Sequence, residues 1–330
     1  MRKWQITLFE LTCPPCDAAS NMQRLSEAKP VLSIRGSICA LATPFMADGA
    51  LDLAAFGRLL DYQLAGGTQA LVVAGSTGEA HMLEPGEFDR LLTFALGHVD
   101  GRVPVIAGTG DAATAKTVAA TRRAAALGAN AALVVAPYYV RPTQEGLRRH
   151  FLEVAEHAGV PIILYNVPSR TGCDLQPDTV AMLREHPAII GIKEARGDSE
   201  RIQALVELVR DDFVYLSGDD GSAGAAMLAG AAGTVSVVAN LVPQAFRAWC
   251  DAATGGDVAA ANAGRAALEP LLQALACAPN PIPVKAGLSM LGLGLGRLRL
   301  PLVELHDGPE RDRLHAALST LASLASVAAG

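Results

Sequence analysis

Short β-branched apolar runs alternate along this chain with longer Ala/Leu-rich segments whose apolar positions recur three and four residues apart. Eight of the short runs read as strands, at residues 37–43, 70–74, 104–107, 131–136, 161–165, 189–193, 213–217 and 234–238. Each is followed by Gly, Pro or polar residues and then by a helical segment, the pattern of repeated βα units on a parallel sheet. Eight units in succession predict an α/β fold of the closed (β/α)8 TIM-barrel type, since an open doubly wound sheet usually has fewer strands and a nucleotide loop near its start. From about Pro243 the strand signal stops, and Ala/Leu-rich segments broken at Pro270, Pro279 to Pro283 and Pro301 predict a C-terminal helical subdomain. The expected division is therefore an irregular extension over 1–32, the barrel with its site over 33–242, and helices over 243–330.

A chain of 330 residues that is 51% hydrophobic can bury a core of this size. Its 33 acidic and 27 basic residues are interspersed, with no basic stripe to follow a phosphate backbone, so no nucleic-acid partner is expected. The uncharged run 221–246 is rich in Gly and Ala and contains Pro243, which fits a buried helix followed by a strand rather than a membrane span. Six scattered cysteines, with no secretory signal pattern, fit a reducing compartment, and a cytoplasmic location is expected. Cys13-Pro14-Pro15-Cys16 has neither the flanking strand and helix of a redox motif nor the second ligand pair of a zinc site, so the extension is read as peripheral. Gly292 to Gly296 lacks the preceding strand of a dinucleotide fingerprint, and His150 and His157 lack the further ligands of a metal site.

The chemistry concentrates at strand ends. Lys193 is a lone cation closing the apolar run Ala188-Ile189-Ile190-Gly191-Ile192. Burial there should pull its pKa below the usual value of about 10.4 and leave free amine to attack a carbonyl. A lone lysine at a strand terminus more often just reaches solvent, but other loops add to this one. Tyr165 ends the preceding strand, and parallel strand ends converge. Gly75-Ser76-Thr77-Gly78-Glu79 offers two hydroxyls and backbone amides to a carboxylate, and Arg170 offers a guanidinium to a second one. An amine nucleophile, a phenol and two carboxylate-binding groups suit the joining or splitting of oxo acids.

These blocks resemble the pyruvate-dependent class I aldolases, and within them the dihydrodipicolinate synthase family, from about Ser33 to the C-terminus. The carriers are Gly75 to Glu79, Pro137-Tyr138-Tyr139, Tyr165-Asn166-Val167-Pro168-Ser169-Arg170-Thr171-Gly172, Gly191 to Ala195, Ser217-Gly218-Asp219-Asp220 and Pro279-Asn280-Pro281-Ile282-Pro283-Val284-Lys285. The resemblance implies a Schiff base between Lys193 and pyruvate, with Tyr165 moving protons. It further implies that Ser76 and Tyr139 complete a hydroxyl relay, Tyr139 reaching in from an adjacent subunit. Thr77 would bind the carboxylate of pyruvate, Arg170 that of L-aspartate 4-semialdehyde, and Gly218 and Val235 would line the pocket. It implies no metal or organic cofactor, and a homotetramer built as a dimer of dimers. Ser76 stands where the family more often has threonine, and keeps the hydroxyl.

Sialic acid lyase and the keto-sugar-acid aldolases share the lysine and tyrosine but generally lack the arginine, so Arg170 favours the semialdehyde over a sugar acid. A pyridoxal-phosphate barrel would need a phosphate cup, near which Asp219 and Asp220 would place carboxylates. In many relatives lysine binds at a subunit interface. Here Tyr138 of that site remains, while Pro85, Phe88, Ala112 and Lys116 replace its polar and acidic positions, and insensitivity to lysine is expected.

Overall fold

The computed structural model describes Leu32 and residues 34–328, with side chains described as far as residue 321. Cys13, Cys16 and the rest of the expected 1–32 extension apart from Leu32 lie outside the described residues. Eight parallel strands close into a barrel in sequence order: β1 (Gly36–Ala40), β2 (Ala70–Val73), β3 (Val105–Gly108), β4 (Ala131–Val135), β5 (Ile162–Asn166), β6 (Ile189–Glu194), β7 (Val214–Ser217) and β8 (Gly233–Ser236). All eight expected strands are present. The ring closes where Ile38 of β1 pairs with Val235 of β8. The strands are buried almost throughout, which is why they read as unbroken apolar runs rather than alternating ones.

The first strand ends earlier than the apolar run does. Beyond Ala40 the Leu41 N–H still donates to the Val72 carbonyl of β2, but a side chain takes over the backbone groups on the other edge: Asn240 accepts from the Ala42 N–H at 3.0 Å and donates to the Ala40 carbonyl at 2.8 Å. Thr43 Oγ1 then donates to the Gly78 carbonyl, tying this exit to the loop after β2.

Helices α1 (Leu53–Ala65), α2 (Pro85–Val99), α3 (Thr114–Leu127), α4 (Gln144–His157), α5 (Pro177–Leu183), α6 (Ser199–Val206), α7 (Ala223–Ala229) and α8 (Pro243–Thr254) follow the strands in turn. Several are started by the side chains expected of helix N-termini: Asp52, Thr143 and Asp198 each accept from an N–H one turn in, and Glu84 with Glu87 forms a capping box. The uncharged run 221–246 resolves into α7, β8 and the start of α8. Helices α9 (Val258–Leu275), α10 (Ile282–Met290) and α11 (Pro309–Ala328) complete the chain. Trp249 joins α8 to α9 by donating from Nε1 to the Ala261 carbonyl, with its ring against Phe246. Among the described residues no helix is long and apolar enough to cross a membrane.

Candidate active site

Successive residues of a strand face opposite sides, and β6 puts this alternation to use. Lys193 pairs with Tyr165 of β5, and its Nζ stands 4.2 Å from the centre of the Tyr165 ring. Both are buried, at 6% and 7% exposure. Gly218, just after β7, explains the room for the lysine stem. A Cβ at Gly218 would lie 2.8 Å from Lys193 Cε, so a side chain there would displace the amine. Val235 is buried in β8.

The next residue, Glu194, points the other way and is fully buried. Asn166 Nδ2 donates to both of its oxygens, the Arg196 N–H donates to Oε1, and Arg201 lies 3.6 Å from Oε2. Asp174 ties in by accepting from Asn166 and Arg201. Burial raises the Glu194 pKa to about 7, while the hydrogen bonds from Asn166 and Arg196 pull it back. This cluster braces the strand pair that carries Tyr165 and Lys193. The sequence alone gives this cluster no role, although Asn166 and Glu194 each neighbour a candidate site residue. Their signal is a polar side chain immediately beside a functional one, directed to the opposite face.

Thr77 is buried in the loop after β2, and its Oγ1 accepts from Asn280 Nδ2 at 2.9 Å. Arg170 sits on the single helical turn Pro168–Thr171 after β5, and its Nη2 donates to the Asn280 carbonyl at 2.9 Å. A cavity of about 250 Å³ is lined here by Ser76, Tyr138, Val167, Arg170 and Asn280 among others. Lys193, Tyr165 and Thr77 are not among its lining residues. Tyr139 stands apart: it is 91% exposed, has a left-handed φ of 73°, and its N–H donates to the Thr171 carbonyl. Among the described residues no hydrogen bond joins Ser76, Tyr165 and Tyr139, so within one chain the implied relay is not assembled.

Two further residues went unassigned in the sequence. Glu79 has a left-handed backbone, φ 53° and ψ 40°, unusual for a residue with a side chain. Its buried carboxylate receives Lys285 Nζ of α10 at 2.5 Å and the Arg299 N–H at 3.1 Å. Lys285 Nζ also donates to the Thr43 carbonyl and lies over the Phe45 ring. Burial pulls the Lys285 pKa down to about 8, against the attraction of Glu79. The loop bearing Ser76 and Thr77 is thus pinned from the C-terminal helices.

Residues 33–321 match the model of the dihydrodipicolinate synthetase family. A relative from Xanthomonas axonopodis pv. citri, 4-hydroxy-tetrahydrodipicolinate synthase, is 58% identical over 89% of this chain and 98% of its own length. The structure of dihydrodipicolinate synthase from Acinetobacter baumannii complexed with pyruvate superposes with a TM-score of 0.86 at 41% identity, covering 88% of this chain and 99% of that one. The enzyme from Cyanidioschyzon merolae, solved with lysine bound, gives 0.83 at 32% identity, over 87% and 98% of the two chains.

Proposed function

The chain belongs to the dihydrodipicolinate synthetase family, and from that premise we propose that it is a lyase condensing pyruvate with L-aspartate 4-semialdehyde to 4-hydroxy-tetrahydrodipicolinate, a step of lysine and diaminopimelate biosynthesis. The observation that carries the reading is the buried Lys193 amine over the Tyr165 ring at adjoining strand ends. The amine adds to the keto carbon of pyruvate and water leaves. The resulting iminium acidifies the pyruvate methyl group, Tyr165 moves the proton, and an enamine forms. Its carbon attacks the aldehyde, forming the new carbon–carbon bond and turning the aldehyde oxygen into a hydroxyl. The amine of the second substrate then displaces Lys193 by transimination, which closes the ring and frees the lysine.

In this reading Thr77 and the neighbouring amides hold the pyruvate carboxylate, Ser76 hands protons on, and Arg170 holds the carboxylate of the semialdehyde. Gly218 and Val235 shape the wall beside the lysine. Tyr139 of one subunit serves the site of the next, which its exposure in a single chain supports. The assembly is then a dimer of dimers, and the enzyme works in the cytoplasm.

The test is a coupled assay with pyruvate and the semialdehyde, beside lyase assays on sugar acids. Turnover of a sugar acid without the condensation would overturn the choice of second substrate. Arg170→Ala should raise the KM for the semialdehyde about tenfold or more and that for pyruvate far less, because a charge-assisted contact of this kind is worth about 1.5–3 kcal/mol. Equal effects on both substrates would remove Arg170 from its role.

Lysine should not regulate this enzyme. Lys116 is exposed where the relatives' glutamate would attract the effector's ammonium, and Ala112, Pro85 and Phe88 supply no side-chain hydrogen bonds. A millimolar effector is held by only about 4 kcal/mol, and exchanging an attracting carboxylate for a cation removes on the order of a few kcal/mol. Initial rates at saturating pyruvate should therefore be flat as lysine rises, and half-inhibition well below about 1 mM would contradict this.

A further inference from the structure

We propose that Asn280, from the loop that leads into α10, is a positioning residue that sets both carboxylate-binding groups of the site at once. The inference rests on the roles given above to Thr77 and Arg170. One residue touches both: its amide Nδ2 donates to Thr77 Oγ1, and its backbone carbonyl accepts from Arg170 Nη2, each at 2.9 Å. The partners come from loops 203 and 110 residues away in sequence.

The hydroxyl of threonine has one proton to donate and can accept from others. Because Thr77 Oγ1 accepts the Asn280 N–H, its own proton is left to be given to a carboxylate oxygen. A hydroxyl without that donor is free to rotate and lose this alignment. In a second contact the Asn280 backbone carbonyl accepts from Nη2 at one end of the Arg170 guanidinium, so the Nε and Nη1 donors stay available for the second carboxylate.

Asn280 Oδ1 is buried, and among the described residues nothing donates a hydrogen bond to it. A buried unpaired acceptor is a cost that an apolar side chain of similar size would avoid, so packing does not account for an asparagine at this position. What the amide adds over such a residue is the Nδ2 donor, and Thr77 is its recipient.

The experiment uses the full chain with Asn280→Ala and Asn280→Asp, each made alone, and the former also combined with Thr77→Val. Pyruvate affinity is read as the half-saturation of borohydride trapping, which needs no second substrate, and as KM in the coupled assay. Asn280→Ala should weaken pyruvate about three- to tenfold, with kcat changing less than about twofold. Asn280→Asp keeps the shape but replaces the donor with an anion beside a carboxylate site, so it should weaken pyruvate by about tenfold or more. In the Thr77→Val background, Asn280→Ala should add nothing further to the pyruvate half-saturation. Unchanged pyruvate half-saturation in Asn280→Asp, or effects of the Asn280→Ala and Thr77→Val changes that simply multiply, would overturn the proposal. Should Asn280→Ala fold poorly, as a melting curve would reveal, the isosteric Asn280→Asp still decides. A wild-type enzyme that traps pyruvate but does not condense it with the semialdehyde would count against the proposed reaction while leaving the pyruvate test of Asn280 intact.

Discussion

Lys193→Ala is expected to lose the borohydride-trapped pyruvyl adduct and to cut kcat by at least on the order of a thousandfold, the scale on which removing a covalent nucleophile acts. Among the described residues two buried lysines compete for the role, and geometry separates them. Burial draws the pKa of Lys285 down to about 8, a property that would by itself nominate it as a nucleophile. Its amine, however, is held by the Glu79 carboxylate and the Thr43 carbonyl, and the side chain is 2% exposed. The Lys193 amine lies over the Tyr165 ring, and among the described residues no hydrogen bond or ion pair holds it, with the Gly218 backbone clearing space along its stem. Peptide mapping by mass after trapping with pyruvate should place the added mass on Lys193 alone. An adduct on Lys285, or turnover that survives Lys193→Ala, would refute the mechanism.

What could be read in the sequence was whatever has a short-range signature. Eight buried parallel strands show as eight β-branched runs, because both faces of each are covered and no alternation interrupts them. Lys193 and Tyr165 stood out because a titratable group at the end of such a run contradicts its surroundings. Asn280 and Lys285 carry no comparable mark: their partners Thr77 and Glu79 lie 203 and 206 residues away, and only the closed barrel with its appended helices brings them together. Glu194 illustrates a second limit. It sits beside Lys193 in sequence, yet the strand pleat sends it into a separate buried cluster with Asn166 and Arg201. Proximity along a strand therefore misstates function unless the face is known. The end of β1 shows the same thing on a smaller scale, where an apolar run continues but Asn240 takes over the backbone groups that a neighbouring strand would have paired.

The pairing of Lys285 with Glu79 carries the largest expected effect on stability. Both charges are out of water, at 2% and 0% side-chain exposure, so each depends on the other. Lys285→Met keeps much of the volume and the packing against Phe45 but leaves the Glu79 carboxylate, among the described residues, with the Arg299 N–H as its remaining hydrogen-bond donor. Removing one partner of a buried ion pair typically costs about 3–5 kcal/mol, because the other charge is stranded. Denaturant unfolding of Lys285→Met should show a loss of that size. Adding Glu79→Gln should recover part of it, since a neutral amide is far cheaper to bury than a lone carboxylate. The same variant should bind pyruvate more weakly, because Glu79 closes the loop that begins with Ser76 and Thr77, and its left-handed backbone is held in place by this contact. A Lys285→Met protein within about 1 kcal/mol of wild type, or a double variant no more stable than the single one, would show that the pair does not pin the loop.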